Sequence, residues 1–244
     1  MSKTVIVTGA SSGLGFAIAR AYLARGYNVV GNARTQARLE EAAARLGNPH
    51  NFLGVAGDIA KPDTARRLFA QAIEAFGQVD ILINNAGIFI AKPVGDYTEE
   101  ELDTIVDTNL KGFFYPSQAA AQHMAANRSG HIISITASIA MQPNVKVPAL
   151  LPVLIKGGLN SAVRGLALEL AASHVQVNAV APGIIETPLH ASDEGTHAFL
   201  RSLSPSGQIG NPQDIVEAVL YLTDSTFVSG AVLNVDGGST TGVW

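Results

Sequence analysis

Three glycines near the start of the chain, Gly9, Gly13 and Gly15, could hold a phosphate group. They directly follow the apolar run at residues 4–7 and precede a stretch in which apolar residues have helical spacing. Glycine allows close approach of a pyrophosphate, whose charge the N–H groups of a helix N-terminus stabilise. A tight turn can use the same residue type, but the position between strand and helix favours a dinucleotide site. The residues expected to line this loop are Gly9, Ser11, Ser12, Gly13, Leu14 and Gly15.

The end of the second apolar run indicates which dinucleotide is bound. NAD sites place a carboxylate about 20 residues after the glycine loop, where it accepts hydrogen bonds from ribose hydroxyls. Here residues 28–31 are followed by Asn32, Ala33 and Arg34, without a carboxylate. Arg34 can pair with a 2′-phosphate, which a carboxylate would repel. A solvated surface arginine is the alternative, and the sequence favours NADP(H) over NAD.

Strands and helices alternate along the chain and must position these residues. Apolar runs predict strands at residues 4–7, 28–31, 80–84, 131–135 and 175–180. Helical spacing predicts helices over residues 16–25, 35–46, 63–76 and 157–172, and Thr98–Glu101 fits a capping box. This alternation predicts an α/β fold with a doubly wound, mainly parallel sheet of the Rossmann type. No linker or repeat interrupts it, so we expect a single domain over residues 1–244.

Composition and charge exclude several classes of protein. The 244 residues are 47% hydrophobic and 15% charged, enough for a sizeable core. A formal net charge of −4 argues against a general nucleic-acid binder. The absence of cysteine excludes disulfides, thiolate metal sites and a cysteine nucleophile. Without a secretory signal or an apolar run of about 20 residues, we expect a cytoplasmic protein with neither nucleic-acid nor membrane partners.

Together, the motifs resemble those of the short-chain dehydrogenase/reductase family along nearly the whole chain. The similar segments are TGASSGLG at residues 8–15, Asp58-Ile59, NNAG at residues 84–87, Asn109, residues 177–183 with Thr187, and residues 235–238. The resemblance implies a nicotinamide cofactor and a homotetramer or homodimer formed through the long helices and the C-terminal segment. It implies cofactor contacts from Asp58, Ile59, Asn85, Ala86, Gly87, Lys156, Pro182, Gly183, Ile185 and Thr187. It also places Asn109 in the catalytic tetrad, where it anchors a water relay.

The chain departs from the family pattern at the residues that carry the chemistry. The family uses a serine that orients the carbonyl, a tyrosine that transfers the proton, and a lysine that holds the nicotinamide ribose. The last two are spaced as YxxxK. Counting back from Asn178 identifies the lysine as Lys156 and puts Pro152 in the tyrosine slot. No tyrosine lies between Tyr115 and Tyr221, so no change of register supplies one.

The serine slot has two possible registers. One alignment places Ala137 there and the other places Ser138, which we favour because the following loop then differs least in length. Ser138 or Thr136 would orient the substrate. The catalytic residues predicted from the sequence are therefore Lys156, Asn109 and Ser138.

Three functions are compatible with the loss of the tyrosine. In the first, the protein is a divergent reductase whose proton comes from water, Lys156, a lid residue or an already cationic acceptor such as an iminium. In the second, NADP is bound but the reaction is a non-redox isomerisation or cyclisation. In the third, the protein is a catalytically silent binding scaffold. Retention of Lys156, Asn109, Thr187 and the cofactor motifs favours the first two.

Two other segments bear on the substrate. Residues 147–155 are strongly apolar, which suits a small apolar carbonyl or imine substrate, although a helix start packed into an interface would have the same composition. By resemblance, residues 186–204 form a substrate lid. Candidate proton donors there are His190, His197 and Glu186, unless they form a solvated face. The spacing of the polar cluster in this lid matches no zinc signature, so no metal is expected. That cluster comprises His190, Asp193, Glu194 and His197. His131 is expected at the opposite end of the sheet.

Overall fold

A computed structural model describes residues 2–187 and 194–242. Seven parallel strands form one sheet in the order β3-β2-β1-β4-β5-β6-β7. Their bounds are β1 Thr4–Thr8, β2 Asn28–Ala33, β3 Phe52–Ala56, β4 Ile81–Asn84, β5 Gly130–Ile135, β6 Val175–Pro182 and β7 Val232–Val235. The order reverses at β1, which lies between β2 and β4. Open α/β sheets bind ligands in the crevice that such a reversal leaves at the carboxyl ends of the strands.

Helices cover both faces of the sheet. Their bounds are α1 Gly13–Ala24, α2 Gln36–Arg45, α3 Pro62–Phe76, α4 Glu99–Ile105, α5 Gly112–Asn127, α6 Leu150–Leu170, α7 Glu194–Arg201 and α8 Pro212–Asp224. Helices α3, α5 and α6 contribute to the apolar core on one face, and α1 and α8 to the core on the other. The structure confirms the predicted doubly wound Rossmann-type fold, and the five predicted strands lie within two residues of their observed bounds.

The start of α6 corrects one sequence prediction. The expected helix began at residue 157, whereas α6 begins at Leu150 and includes Pro152 in its first turn. A proline is tolerated there because the first N–H groups of a helix need no intrahelical acceptor. The N–H of Val153 donates to the carbonyl of Ala149 at 2.9 Å and closes the turn. The predicted apolar wall is therefore partly helical.

A π-helical segment, Val106–Lys111, joins α4 to α5. The capping box predicted at Thr98 and Glu101 begins α4, as expected. Such widened turns are rare and frequently lie at functional sites. This one carries Asn109, which is buried.

Within residues 2–187 and 194–242, no helix combines the length and apolar character needed to cross a bilayer. The same residues contain no group of three or more histidine, aspartate or glutamate side chains placed to share a metal ion.

Candidate functional site

The carboxyl ends of β1 and β4 are tied together through Thr8. Its hydroxyl accepts hydrogen bonds from the backbone N–H groups of Asn85 and Ala86, both at 3.0 Å, and donates to the carbonyl of Ile83 at 3.4 Å. In return, the Asn85 side-chain amide donates to the Thr8 carbonyl at 2.9 Å. The glycine loop after β1 and the NNAG segment after β4 therefore form one rigid unit.

Two glycines allow the close contact between this unit and α1. A Cβ at Gly15 would overlap the carbonyl oxygen of Gly9 and the side-chain nitrogen of Asn85. Gly9 adopts a left-handed backbone, with φ of +67°, and a Cβ there would lie 3.0 Å from the same Asn85 nitrogen. Neither position accepts a side chain without displacing backbone or Asn85, so α1 begins directly against the loop.

The N-terminus of α1 is open to an anion. Ser12 occupies the N-cap position without a side-chain capping bond, and the first turn contains no acidic residue. The first N–H groups of a helix lack intrahelical acceptors and carry a partial positive charge. The turn that begins at Gly13 can therefore donate several hydrogen bonds to a phosphate.

The end of β2 offers a guanidinium beside this turn. Arg34 is exposed and forms no ion pair with any described residue. The neighbouring Asn32 is buried, and its amide donates to the carbonyls of Val55 and Gly57 at 3.0 and 3.1 Å. This bond fixes the adjacent ends of β2 and β3. Arg34 is therefore an exposed cation on a fixed backbone.

The two residues predicted to contact adenine follow β3. Asp58 is exposed, and its carboxylate accepts a hydrogen bond from the N–H of Ala60 at 3.0 Å. Ile59 is buried and belongs to the core beneath. The turn therefore holds Asp58 at the rim of the crevice.

Three residues from distant parts of the chain meet at Gly87. A Cβ at Gly87 would lie 2.9 Å from Oδ1 of Asn109 and 3.3 Å from Nζ of Lys156. Asn109 is held in place because Oδ1 accepts from the N–H of Ile88 at 2.8 Å and Nδ2 donates to the carbonyl of Ile88 at 2.9 Å. The structure thus brings together Gly87, Asn109 and Lys156.

Lys156 is a buried amine without an acidic partner. Its side chain is 8% exposed, and Nζ donates to the carbonyl of Ile135 at 2.9 Å. Burial lowers the pKa of Lys156 from its ordinary value of 10.5 to about 8. The cause of this shift is desolvation, because burial removes the water that would stabilise the charged ammonium. No charged side chain of the described residues contributes to it.

The candidate serine, Ser138, differs from Thr136 and Ala137 in the hydrogen bonding of its side chain. Ser138 is buried in a short 3₁₀ turn, Ser138–Ala140, and its hydroxyl has no hydrogen-bond partner among the described residues. The Thr136 hydroxyl donates to the carbonyl of Val180 at 3.3 Å and is therefore already engaged with the sheet. Ala137 has no hydroxyl. Of the three, Ser138 has the hydroxyl available for a substrate oxygen.

The apolar segment at residues 147–155 is divided between interior and surface. Pro152 and Ile155 are buried, whereas Leu150 and Leu154 are 50% and 63% exposed. The buried pair matches the expectation of a helix start packed into the core. The exposed pair lies two residues to either side of Pro152 along α6 and therefore on a different face of the helix from Pro152.

At the end of β6, the backbone approaches the chain after β7. The N–H of Gly183 donates to the carbonyl of Val235 at 2.9 Å, and a Cβ at Gly183 would lie 2.7 Å from Cα of Asp236. Beyond Pro182 the chain continues through Ile185, which is buried, to Thr187. These residues lie after the carboxyl end of β6, the edge at which the β1 and β4 loops also lie.

The predicted lid is described in part. Glu194 and His197 lie on α7, where Glu194 pairs with Arg201 at 3.0 Å, and Glu186 is exposed. His190 and Asp193 lie outside the described residues.

The expectation for His131 is confirmed. Its N–H donates to the carbonyl of Asp80 at the amino end of β4, away from the site.

Sequence reasoning missed the bridging role of Thr8. It lies one residue before the first glycine, but its partners are 77 and 78 residues further along the chain. Its only local signal is a polar residue in the last position of a buried strand.

Comparison with known proteins extends over almost the entire chain. Residues 9–240 match the family model described as enoyl-(acyl carrier protein) reductase. The chain is 35% identical over 244 residues to the (2S)-[(R)-hydroxy(phenyl)methyl]succinyl-CoA dehydrogenase subunit BbsD of Thauera aromatica, covering 97% of this chain and 96% of that protein.

Solved structures have the same architecture. The 3-ketoacyl-(acyl-carrier-protein) reductase of Brucella melitensis, in complex with NADH, is 31% identical with a TM-score of 0.89 and coverage of 98% of both chains. ElxO with NADP bound has a TM-score of 0.93 at 24% identity, covering 99% of this chain and 100% of that one. The second likeness, at this identity, concerns the fold alone.

Proposed function

Because the chain belongs to the short-chain dehydrogenase/reductase family, we propose that it is an NADP(H)-dependent oxidoreductase acting on a small apolar carbonyl or imine compound. The observation that carries this proposal is the meeting of Lys156 and Asn109 at Gly87, beside the loops that Thr8 joins. A protein that had lost cofactor binding would have no need to keep a buried, unpaired ammonium at this point.

The residues present fit a nicotinamide dinucleotide. The open N-terminus of α1 would hold the pyrophosphate, and Lys156 would hold the nicotinamide ribose. Asp58 and Ile59 would border the adenine, and Arg34 would pair with a 2′-phosphate. When bound, the nicotinamide supplies or accepts the hydride. NADH in the similar Brucella melitensis structure supports a cofactor of this class.

The remaining contacts would position the nicotinamide ring and the substrate. The amide of the nicotinamide would meet the segment of Pro182, Gly183, Ile185 and Thr187, while Asn85, Ala86 and Gly87 border its other side. Ser138 would donate its free hydroxyl to the substrate oxygen, and Asn109 would anchor a water relay. The apolar composition of residues 147–155, which include Pro152, favours an apolar substrate.

Pro152 is the observation that favours a second candidate function. Its ring has no proton to transfer, and general acid–base groups contribute about 10²–10⁴-fold to rate. An NADP-binding protein that catalyses a non-redox isomerisation or cyclisation would not need that group. Turnover of NADPH with apolar ketones would exclude this alternative, whereas binding without oxidation of NADPH would favour it.

Titration of NADPH and NADH against the protein's fluorescence tests cofactor binding without knowledge of the substrate. We expect micromolar NADPH binding and a roughly 10–100-fold loss in the Arg34→Ala variant, since one charged bidentate pair is removed. Binding of NADH should be unchanged in that variant. Arg20→Ala, which removes an exposed arginine on α1, is the matched control.

Equal affinity for the two cofactors would overturn the NADP preference. If neither cofactor binds, the protein is a scaffold and the enzymatic proposal fails.

The proposal includes assembly into a homodimer or homotetramer. Phe114 on α5 and Leu168 on α6 are 52% and 81% exposed, and such apolar side chains on long helices favour contact between copies. Sedimentation equilibrium distinguishes these assemblies from a monomer, which would contradict this part of the proposal.

A further inference from the structure

We propose that Lys156 is itself the proton donor for carbonyl reduction, in place of the tyrosine that the sequence lacks. This inference rests on the proposed function, because it assigns a chemical role within the same site. Lys156 then touches the reacting oxygen and is a catalytic residue, rather than only a ribose contact.

The first argument comes from the groups that surround Gly87. The side-chain atoms nearest to a Cβ built there are Oδ1 of Asn109 and Nζ of Lys156. A neutral carboxamide does not release a proton near neutral pH, whereas an ammonium does. Gly87 is exposed, so the space beside the ammonium opens to the crevice. Lys156 therefore carries the transferable proton at this point.

Two hydroxyls that could have replaced the tyrosine, those of Tyr97 and Thr136, are engaged elsewhere. The phenol of Tyr97 donates to the carbonyl of Ile90 at 2.7 Å, and the hydroxyl of Thr136 donates to the carbonyl of Val180. Ser138 has a free hydroxyl, but an aliphatic alcohol is far too weak an acid to supply a proton without a stronger donor behind it. Ser138 fits a role in orienting the oxygen.

The second argument is the hydrogen-bonding capacity of the ammonium. It has three N–H donors, and the structure uses one of them on the carbonyl of Ile135. The two that remain match two oxygens of the proposed complex, one from the ribose and one from the substrate. A second carbonyl or a carboxylate at Nζ would have left no donor for the substrate.

The third argument is the acidity of Lys156. Burial lowers its pKa to about 8, so it gives up a proton far more readily than an exposed lysine. Charged groups on neighbouring elements do not cause this shift: Asp107 and Lys111 of the π-helical segment pair with each other, and Glu186 is exposed. The acidity of Lys156 follows from its position in the fold.

The proposed step balances in atoms and electrons. The carbonyl carbon of the substrate gains the hydride and its electron pair, and the C=O π pair moves onto oxygen. That oxygen forms a bond to a proton as the corresponding N–H bond of Lys156 breaks, leaving a neutral amine. Water then returns a proton to the amine.

Carbon NMR of the cofactor-free protein tests the acidity of Lys156 apart from any turnover. The lysine 13Cε resonances are followed from about pH 6 to pH 11, with Lys156→Arg identifying the resonance of Lys156. We expect it to titrate near pH 8, as burial predicts. Lys146→Arg is the matched control, because Lys146 is an exposed lysine in the loop before α6. Titration of Lys156 above pH 10 would overturn the inference.

Two probe substrates with NADPH test the proton transfer itself. 1-Decalone, an apolar ketone, needs both hydride and proton, whereas the 2-methyl-3,4-dihydroisoquinolinium ion needs only hydride. Lys156→Arg keeps a cation for the ribose but gives up no proton at these pH values. We expect kcat for the ketone to fall at least about 100-fold, with a loss at least about tenfold smaller for the iminium. In the natural protein, kcat for the ketone should fall as pH rises above about 8.

Equal losses on both probes, or a ketone profile flat through pH 8, would show that Lys156 only positions the cofactor. Those results would leave the proposed function standing. Failure to bind NADPH, or no turnover of either probe with NADPH bound, would count against the proposed function and against the inference resting on it.

Discussion

The proposed nucleotide region and the proposed reaction region of this protein are built in different ways. The nucleotide region comprises the loop from Thr8 to Gly15 and the NNAG segment, and it is held by hydrogen bonds and by contacts that exclude even a methyl group. The reaction region comprises the turn Ser138–Ala140 and the start of α6. Among the described residues, the Ser138 hydroxyl has no hydrogen-bond partner and the Lys156 amine has one, the carbonyl of Ile135. Fixed backbone geometry defines the nucleotide region, whereas a few side chains define the reaction region.

This difference explains how the reaction region can change without loss of the fold. Pro152 lies in the first turn of α6, where it removes no helical hydrogen bond. No comparable freedom exists at Gly15, because its neighbours are the backbone of Gly9 and the side chain of Asn85. Chemistry can therefore diverge on a nucleotide-binding frame that stays constant.

The largest effect is expected from Gly15→Ala. The new methyl group must displace the carbonyl of Gly9 or the side chain of Asn85, so α1 moves away from the loop. We expect unfolding free energy to fall by about 3 kcal/mol and NADPH affinity to fall roughly 100-fold. Denaturant unfolding and the fluorescence titration measure the two effects.

Gly158→Ala is the control for this change, because Gly158 is exposed on α6 and a Cβ there meets nothing within 4 Å. It should stabilise the protein by up to about 1 kcal/mol, since alanine favours a helix over glycine. Similar losses in the two variants would mean that the tight contact at Gly15 has no special role.

The next effect concerns Lys156→Met in the cofactor-free protein. Lys156 has a pKa of about 8 when folded and 10.5 when unfolded. Below pH 8 both states are protonated and burial of the charge imposes its full cost. Between pH 8 and 10.5 the unfolded state binds more protons, so stability rises with pH. The methionine variant has no amine to titrate at this position, so its stability lacks this dependence on pH.

We therefore expect the variant to gain stability relative to the natural protein at pH 7, and the difference between them to change by about 3 kcal/mol on going to pH 10.5. Denaturant unfolding at the two pH values measures that change. A difference independent of pH would show that the amine is not perturbed by burial.

The smallest effect compares two threonines, one in each region. Thr8→Val leaves the N–H groups of Asn85 and Ala86 without their shared acceptor and should cost about 2 kcal/mol of unfolding free energy. Thr136→Val removes one long bond to Val180 and should cost about 1 kcal/mol or less. Thermal unfolding of the two variants measures the difference between these losses of stability. Equal losses would contradict the prediction that the two regions differ.

Local patterns in the sequence predicted the fold because most of the strands, and several of the helices, carry their own signal. Residues 175–180 and 131–135 alternate with helical segments, and the structure places them in adjacent parallel strands. The start of α6 was predicted seven residues late, because a proline-containing first turn resembles a loop in sequence. Strand β3 was missed, since Gly54 interrupts a short run bordered by polar residues.

The candidate site was predicted as a set of residues but not as an arrangement. Lys156, Asn109 and Gly87 follow from motifs, whereas their meeting at one point depends on α6 packing against the π-helical segment and on the bonds between Asn109 and Ile88. The engagement of Thr136 with Val180 also depends on pairing between β5 and β6. A residue's type gives its chemistry, and its neighbours decide whether that chemistry is free to act.

The sequence by itself determined the α/β fold, the glycine positions of the loop after β1 and the presence of Pro152, not tyrosine, four residues before Lys156. These properties are set by local spacing and by residue type. Only the tertiary structure decided that Thr8 joins two loops and that, among the described residues, Ser138 has no hydrogen-bond partner and Lys156 is buried without a countercharge. The physical reason is that hydrogen bonds and desolvation depend on atoms brought together from distant parts of the chain.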